Sequence, residues 1–283
     1  MGNTSQKEKA RTFLSLHSDQ KLLILPNIWN PIGARILEAK GYTAAATASA
    51  AVSASLGFED GEKIRLSTLL DVITRIVRSV DIPVTADIES GYADSIPSLR
   101  ETIRQVIDCG VAGINIEDSI EEGGALRPVN SQCERIAAVR EVAEQQGLHL
   151  VINARIDCFL SGHFQNSQEK IEESVVRAKA YAGAGADCIY PIGPGDKDTV
   201  TALRNRIDGP INVLASAGAE PLPVLKKIGV NRVSFGPYVF RSCLKKFADI
   251  ADELRGSGSY ACFSRNMMTR DDANVFLNHE KEK

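Results

Sequence analysis

The segment Cys109-Gly110-Val111-Ala112-Gly113-Ile114-Asn115-Ile116-Glu117-Asp118 shows the pattern on which the fold prediction depends. Gly110 stands where a helix C-cap precedes the next strand. Residues 113–117 form a short β-rich run that is mainly apolar, as in parallel strands covered on both faces. Glu117 and Asp118 follow at the end of the run. The segment is therefore typical of a buried parallel strand that ends in polar side chains at one edge of a sheet.

Short runs of this kind alternate with helical patterns along the whole chain. Segments of helical period lie at residues 68–80, 131–146 and 168–182. Eight β runs with helices between them predict a (β/α)8 barrel of the TIM type. A doubly wound open sheet is the alternative, but no Gly-x-Gly-x-x-Gly motif follows the first run. The eight runs are Leu22–Leu25, Thr43–Thr47, Val84–Asp87, Gly113–Glu117, Leu150–Ala154, Asp187–Tyr190, Ile211–Leu214 and Arg232–Phe235.

The chain is slightly longer than such a barrel requires, with 283 residues against the usual ~250. We predict a barrel catalytic domain over residues 1–255, and a hinge with a C-terminal helical extension over residues 256–283. Gly256-Ser257-Gly258-Ser259 provides the hinge, and a helix is predicted from Arg270 to Glu280. This helix either caps the barrel or packs on a neighbouring subunit; a frayed polar tail is the alternative.

The composition argues against several classes of protein. Hydrophobic residues make up 43% and charged residues 24% of the chain, as in globular rather than disordered or fibrous proteins. A net charge of −3 predicts no nucleic-acid partner, and no apolar run approaches the roughly 18 residues of a membrane span. The polar N-terminus lacks a secretory signal, and the six cysteines form no disulfide or zinc pattern. These features predict a cytoplasmic protein.

Charged residues stand at the ends of three consecutive predicted strands. Asp87 and Glu89 come at the end of the third strand, and alternation places them on one side if the extended backbone continues. Glu117 ends the fourth strand, and Arg155 stands at the end of the fifth. Because active sites of these barrels lie at the carboxyl ends of the strands, we expect the four side chains to meet at one mouth.

Three carboxylates at one mouth would repel each other unless a cation lay among them. Ligands that are all oxygen atoms favour Mg²⁺ or Mn²⁺ over zinc. Arg155 would offer a planar donor fork to the carboxylate or phosphonate of a substrate. A single acid at a strand end is more often a helix N-cap. Three acids and an arginine on consecutive strands are better explained by a metal and substrate site.

Over roughly residues 10–255, the sequence resembles the isocitrate lyase/phosphoenolpyruvate mutase superfamily. The resemblance depends on the order and spacing of six motifs, each of which is weak alone. They are Leu25-Pro26-Asn27-Ile28-Trp29 with Ala34-Arg35, Ser49-Ala50-Ala51-Val52-Ser53-Ala54-Ser55-Leu56-Gly57, Asp87-Ile88-Glu89-Ser90-Gly91-Tyr92, Gly110-Val111-Ala112-Gly113-Ile114-Asn115-Ile116-Glu117-Asp118, Asn153-Ala154-Arg155-Ile156-Asp157 and Gly183-Ala184-Gly185-Ala186-Asp187.

The resemblance implies a Mg²⁺-dependent enzyme that breaks or forms a C–C or P–C bond next to an α-keto acid. Asp87, Glu89 and Glu117 match the acids that hold the metal, some of them through its waters. Glu89 stands where the family more often has Asp. Glu117 is also a candidate catalytic residue.

The resemblance also implies how the substrate is bound. Arg155 matches the arginine that binds the substrate carboxylate, and Ala48, Ser49 and Ala50 occupy the loop that receives it. Asp60 matches an acid on the mobile segment after the second strand, and is a candidate catalytic residue together with Arg155. The family resemblance further implies a homo-oligomer, a dimer or tetramer, whose subunits exchange the C-terminal helix.

The loop after the fourth strand departs from the family pattern. Isocitrate and methylisocitrate lyases carry a Cys-Gly-His motif there, whose cysteine is the usual proton donor, and phosphonate enzymes carry an Asn-bearing loop. Both are absent from Ser119-Ile120-Glu121-Glu122-Gly123-Gly124-Ala125-Leu126-Arg127-Pro128-Val129. Gly123 and Gly124 are typical of a hinged lid, with Arg127 as a candidate anion contact; a plain flexible loop is the alternative for Arg127.

The first functional hypothesis is a Mg²⁺-dependent lyase acting on a small 2-oxo or 2-hydroxy carboxylate, methylisocitrate-like or oxaloacetate-like. It would cleave a C–C bond through a metal-stabilised enolate. One alternative is a phosphonopyruvate hydrolase or phosphoenolpyruvate phosphonomutase acting on a P–C bond. Another is a catalytically silent barrel that binds an oxo acid. Folding does not require Asp87, Glu89, Glu117 and Arg155 together, which argues against the silent barrel.

Overall fold

The structure is a computed structural model and describes residues 5–18, 21–120 and 124–277. The strands in this part of the chain are β1 (Leu23–Leu25), β2 (Asn27–Ile28), β3 (Ala45–Thr47), β4 (Val84–Asp87), β5 (Gly113–Glu117), β6 (Val151–Ile156), β7 (Cys188–Pro191), β8 (Asn212–Leu214) and β9 (Arg232–Ser234). The helices are α1 (Gln6–Ser18), α2 (Pro31–Ala39), α3 (Ser49–Ser55), α4 (Leu66–Arg78), α5 (Ile96–Asp108), α6 (Val129–Gln145), α7 (Ser167–Gly183), α8 (Lys197–Arg204), α9 (Leu222–Ile228), α10 (Tyr238–Gly256), α11 (Cys262–Asn266) and α12 (Arg270–Leu277).

The strands form a closed barrel in which every pairing is parallel. Strands β2 to β7 follow one another in one sheet, and β1, β9 and β8 form the other. Pro26 lacks a backbone N–H and separates β1 from β2, which together make the first barrel strand. A parallel bridge between Ile189 and Ile211 joins β7 to the chain entering β8 and completes the closure. The predicted (β/α)8 barrel is confirmed, and each of the eight predicted runs contains a strand, with ends that differ by up to two residues.

Helix α1 covers the amino end of the barrel. Its Phe13 is fully buried and packs against the start of β5. A Cβ atom on Gly113 would lie 2.8 Å from the Phe13 ring and 2.8 Å from the carbonyl oxygen of Val151, so only glycine fits there. His17, also on α1, contacts Arg232 from β9. The α1 helix therefore closes the end of the barrel opposite to the predicted site.

The interior of the barrel is polar below its carboxyl end. Asp87, Asn115 and Asn153 stand in register on β4, β5 and β6. Asn153 Nδ2 donates a hydrogen bond to Asn115 Oδ1 at 2.8 Å, and Arg232 Nη2 donates to the same oxygen at 3.1 Å. Barrel interiors are more often filled by branched apolar side chains. Here the apolar core lies mainly between the barrel and its helices, and the interior holds a hydrogen-bonded network.

The C-terminal helices lie on the outside of the barrel. Helix α10 ends at Gly256, where the hinge was predicted, and α12 begins at Arg270 as predicted. Residues 278–280 of that predicted helix lie outside the described residues. In this chain α12 packs against its own α2, and Arg35 Nη1 donates to the carbonyl oxygen of Leu277 at 2.8 Å. None of the described helices is long and apolar enough to cross a membrane. All six cysteines are free thiols.

Candidate active site

A cavity of about 220 Å³ opens at the carboxyl ends of the barrel strands. It is smaller than the ~300–1,000 Å³ of sites for drug-sized ligands, so it suits a small molecule. Within the described chain, the predicted residues Glu89, Glu117 and Arg127 lie outside its lining. Six other predicted site residues line it together: Ala48, Ser49, Ala50, Asp60, Asp87 and Arg155.

Asp87 is fixed in the cavity by the loop after β3. Its Oδ2 accepts hydrogen bonds from the backbone N–H and the hydroxyl of Ser49, both at 3.0 Å. The backbone N–H of Asp87 donates to Thr47 Oγ1 at 2.9 Å. The polar groups of Ser49, predicted to receive a substrate carboxylate, therefore hold the Asp87 carboxylate in this structure.

Arg155 lies between two carboxylates. Its Nε and Nη2 each donate to Asp157 at 2.7 Å, and its Nη1 lies 2.7 Å from Glu117 Oε2. These contacts use three of the five guanidinium N–H donors, which leaves two for a ligand. Burial works to lower the pKa of Arg155, but Glu117 and Asp157 raise it well above its usual value. The side chain is a fixed cation at the cavity.

Glu117 stands in register with Arg155 on the neighbouring strand. The Ser119 hydroxyl donates a hydrogen bond to its Oε1. Burial raises the pKa of Glu117 to about 8; Arg155 opposes this shift, while Asp157 and Asp87 add to it. Asp87, Glu117 and Asp157 thus place three carboxylates around one guanidinium. An additional cation would relieve this excess of negative charge.

Glu89 occupies a different place from the one that alternation predicts. Strand β4 ends at Asp87, and Glu89 has a φ of 53°, so the extended backbone does not continue and that premise of the prediction is wrong. Glu89 Oε2 accepts hydrogen bonds from the backbone N–H groups of Gly61 and Glu62 at 2.7 and 2.6 Å. Its Oε1 accepts from the Tyr92 hydroxyl at 2.9 Å. Burial raises the pKa of Glu89 to about 7, with Asp60 and Asp87 adding to the shift.

Glu62, Glu89 and Tyr92 form a hydrogen-bonded cluster that we call the latch. Within the described chain they are the three non-glycine residues with positive φ, at 58°, 53° and 50°. Glu62 Oε1 accepts hydrogen bonds from the Ser90 hydroxyl and the backbone N–H of Tyr92, both at 2.7 Å. Such backbone conformations cost about 1–3 kcal/mol each and persist only where the surroundings hold them. The latch ties the segment that carries Asp60 to the turn after β4.

The predicted metal ligands fit a hydrated divalent cation and do not fit a dehydrated cage. In the described parts of the chain, no three His, Cys, Asp or Glu side chains converge as a set of metal ligands. Asp87 faces the cavity, whereas Glu117 contacts Arg155 and Glu89 is bound in the latch. Mg²⁺ usually keeps several waters and needs only one or two carboxylates besides substrate oxygens. Asp87 would therefore be the direct ligand.

A buried network behind the mouth supports Arg155. Asp118 is fully buried and accepts hydrogen bonds from the Tyr181 hydroxyl at 2.7 Å and from Arg177 at 3.0 Å. It also accepts from the backbone N–H of Asp157 at 2.9 Å. Because Asp157 holds two donors of Arg155, the network fixes the orientation of the guanidinium.

The described ends of the loop after β5 are held to each other and to the next loop. Ser119 and Leu126 form an antiparallel bridge, and the carbonyl oxygen of Gly124 accepts a hydrogen bond from Ser161 at 3.1 Å. Gly123, predicted as part of the lid hinge, lies outside the described residues. The backbone N–H of Arg127 donates to the carbonyl oxygen of Asp118 at 2.7 Å. Its role as an anion contact stays a prediction.

The sequence predictions missed six polar residues that line the cavity: Asn27, Asn115, Tyr190, Ser234, Tyr238 and Arg241. Tyr190 stands in register with Arg155, so the argument from strand ends would have found it. Tyr238 and Arg241 lie in the first turn of α10, and Arg241 stacks on Tyr238 at 6.0 Å from the ring centroid. No sequence pattern points to this pair, because it reaches the cavity only through closure of the barrel.

The fold and the cavity define a class of protein: a (β/α)8 barrel with a small cavity, lined by acidic and arginine side chains, at the carboxyl ends of its strands. The sequence profile of the phosphoenolpyruvate phosphomutase family matches residues 13–255. The chain belongs to this enzyme family, within the isocitrate lyase/phosphoenolpyruvate mutase superfamily that its motifs resemble.

Relatives of known name cover most of the chain. A 2-methylisocitrate lyase of Bacillus subtilis is 26% identical over 215 residues, which cover 74% of this chain and 67% of that protein. An oxaloacetate decarboxylase of Paraburkholderia xenovorans is 27% identical over 265 residues, or 90% of this chain and 84% of that protein. A crystal structure from Burkholderia cenocepacia, provisionally described as a lyase/mutase, is 30% identical with a TM-score of 0.90 over 97% of both chains.

Proposed function

We propose that this protein is a Mg²⁺-dependent lyase that cleaves a C–C bond of a small 2-oxo or 2-hydroxy carboxylate, oxaloacetate-like or methylisocitrate-like. The observation that supports this best is that Asp87 and Arg155 line the same small cavity. A carboxylate that can hold a divalent cation and a guanidinium that can hold an acid group are the two contacts such a substrate needs. The similarity to a methylisocitrate lyase and an oxaloacetate decarboxylase supports the same reaction class.

In this proposal Asp87 binds the cation directly, and Glu117 and Glu89 act on its hydration shell. Mn²⁺ is an alternative occupant because it takes similar oxygen ligands. When bound, the cation would polarise the substrate oxygen next to the broken bond and stabilise the charge left on carbon. The three carboxylates around Arg155 supply the negative charge that favours a divalent cation.

Arg155 would orient the substrate carboxylate with its two remaining donors. Asp157 and Glu117 hold the guanidinium in place, so little rotamer freedom is lost when the substrate binds. Ala48 and Ala50 have small side chains that leave room beside Ser49 at the cavity wall. Asp60, on the segment held by the latch, would contact the substrate from the opposite side.

The position of Arg241 indicates a substrate with a second acid group. The described residues form no ion pair with Arg241, which lies at the edge of the cavity on α10. A cation without a carboxylate partner beside Arg155 favours a di- or tricarboxylate over a monocarboxylate. Oxaloacetate-like and methylisocitrate-like acids meet this requirement.

The test is a panel of oxaloacetate, methylisocitrate, isocitrate, alkylated malates and phosphonopyruvate, each assayed with Mg²⁺ and with a chelator. We expect pyruvate or glyoxylate release from a C–C substrate, lost with the chelator and restored by Mg²⁺ or Mn²⁺. Phosphate release from phosphonopyruvate without C–C cleavage would instead support the P–C alternative. Oxalate binding without turnover of any substrate would support the silent barrel.

We also propose that the chain divides into the barrel, residues 1–255, and the extension, residues 256–283. The extension would pack on a neighbouring subunit in a dimer or tetramer, as α12 packs on α2 here. Exposed apolar side chains support this assembly: Phe247, Tyr260 and Val275 are each about 70% exposed in the single chain. The free thiols support a cytoplasmic location, where disulfides are rare.

A further inference from the structure

The proposed reaction, on which this inference rests, needs a proton donor, and the sequence of the loop after β5 contains no Cys-Gly-His motif. Cleavage of a C–C bond leaves an electron pair on carbon, and that carbon must be protonated before the product is complete. The described residues that line the cavity include neither cysteine nor histidine. The hydroxyl of Ser49 is committed to Asp87 at 3.0 Å. Among the described residues two phenols line the cavity, Tyr190 and Tyr238. Tyr238 stacks against Arg241 on α10, whereas Tyr190 stands in register with Arg155 on the barrel wall, which makes Tyr190 the candidate donor.

Tyr190 has the position that a donor requires. It lies on β7, in register with Arg155 on β6, so both side chains point to the same face of the barrel wall. It is 4% exposed and lines the cavity together with Asp87 and Arg155. A substrate carboxylate held by Arg155 would therefore have the Tyr190 phenol beside it. Burial raises the pKa of Tyr190 to about 12, so the phenol keeps its proton at neutral pH.

The hydrogen bonds around Tyr190 leave its own proton available. Asn212 Nδ2 donates to Ser234 Oγ at 3.1 Å, so the single hydroxyl proton of Ser234 is free to point elsewhere. Ser234 lines the same cavity as Tyr190, and its hydroxyl favours the phenolate form and so lowers the pKa of Tyr190 against the effect of burial. A hydroxyl that stabilises the phenolate supports loss of the phenol proton to a substrate.

We propose that Tyr190 is the general acid that protonates the carbon released by C–C cleavage. The C–C bond breaks and its electron pair stays on the carbon next to the acid or keto group as an enolate. The other fragment leaves as CO₂ from a 2-oxo acid, or from a hydroxy acid as a carbonyl compound whose hydroxyl proton passes to water. The enolate pair then forms a C–H bond with the Tyr190 proton, and the phenolic O–H pair stays on oxygen. Arg155 and Ser234 stabilise the phenolate, which takes a proton from water after product release. No oxidant or reductant is involved.

The test compares Tyr190→Phe with the wild type on the C–C substrate that the wild type turns over. The variant loses only the phenolic oxygen, and we expect kcat to fall about 10²- to 10⁴-fold, as for loss of a general acid. The dissociation constant of oxalate, an enolate-like ligand, should change far less than kcat, because Arg155 still binds its carboxylate. Tyr42→Phe is the matched control, because Tyr42 packs beside α2 away from the cavity and its variant should keep the wild-type rate.

A second measurement separates proton donation from a merely structural role. With an alkylated substrate in D₂O, the wild type should place deuterium on one face of the product carbon, as nuclear magnetic resonance would show. The Tyr190→Phe variant should place it on both faces, since solvent then protonates the enolate. A variant with wild-type rate and single-face labelling would overturn the inference while the proposed function stands. A wild type that cleaves no C–C substrate would instead overturn the proposed function itself.

Discussion

At the residue scale, the cation Arg155 holds several acidic side chains in place at the cavity. Its guanidinium contacts Glu117 and Asp157, and Asp118 fixes Asp157 from behind through a backbone hydrogen bond. Removing one acid from such a set changes both the charge of the site and the orientation of the arginine. Substitutions of Glu117 or Arg155 should therefore affect turnover far more than folding, whereas loss of the fully buried Asp118 would also destabilise the fold.

Replacing Glu117 with Gln tests the charge balance of the site. The amide keeps the size of the side chain but removes the charge that faces Arg155 and the proposed cation. We expect kcat to fall at least about 100-fold, which is typical of losing one electrostatic contact at a reacting centre. The measurement is Mg²⁺-dependent turnover together with a thermal melt. Glu101→Gln, an exposed acid on α5, is the control, and full metal-dependent activity in the Glu117 variant would show that the site is wrongly assigned.

At the scale of secondary-structure elements, the sequence predicts the strands but not the latch. The strands could be predicted because burial on both faces requires continuous apolar runs, which are a local property of the sequence. Arg155 and Asp87 followed from their places at strand ends. The latch could not be predicted, because the positive φ of Glu89 depends on hydrogen bonds to residues 61 and 62, distant in sequence. Arg241 was not predicted either, because it reaches the cavity only through contacts between elements that are distant in sequence.

Shortening Glu89 to Asp tests the latch as an element that holds the segment around Asp60. The carboxylate would no longer reach both backbone N–H groups of Gly61 and Glu62. Hydrogen bonds to a charged group contribute ~1.5–3 kcal/mol, so we expect amide hydrogen exchange at these two residues to accelerate about tenfold or more. The global melting temperature should change little. Glu101→Asp is the control.

Two roles of Glu89 can be separated with the same variant. If Glu89 acted only through the hydration shell of a metal, Asp would serve as it does in the family, and exchange at Gly61 and Glu62 would match the wild type. Faster exchange with a raised KM would indicate that the latch positions Asp60. Unchanged exchange would contradict the latch.

At the scale of the whole molecule, α1 couples barrel stability to pH through His17. Burial lowers the pKa of His17 to about 4, and Arg232 adds to the shift. His17 Nδ1 lies 2.8 Å from the carbonyl oxygen of Phe13, so Nδ1 carries the proton and Nε2 accepts from Arg232 at 3.4 Å. A proton added to Nε2 would face the guanidinium. The folded protein therefore excludes the proton that the unfolded chain binds below its ordinary pKa of 6.5.

The stability contribution of His17 is complete above pH 6.5 and decreases as the pH falls towards 4. The loss amounts to about 3 kcal/mol of unfolding free energy, at about 1.4 kcal/mol per pH unit. His17→Gln can keep both hydrogen bonds but does not titrate. Urea unfolding at pH 7 and pH 4.5 should show a smaller loss in the variant than in the wild type. Equal losses in the two proteins would contradict this account.

The C-terminal extension is the part of the chain that we expect to determine the oligomeric state. Phe247, Tyr260 and Val275 leave apolar surface exposed. In the proposed helix exchange, α12 of one copy would pack on α2 of another as it packs on its own α2 here. We therefore expect a chain that ends at Gly256 to be monomeric, with a cooperative melt of the barrel. The full chain should form a dimer or tetramer in sedimentation velocity. A chain that ends at Leu277 is the control and should keep the assembly of the full chain, because it retains α12. An unchanged mass after truncation at Gly256 would place the subunit interface on the barrel and reject helix exchange.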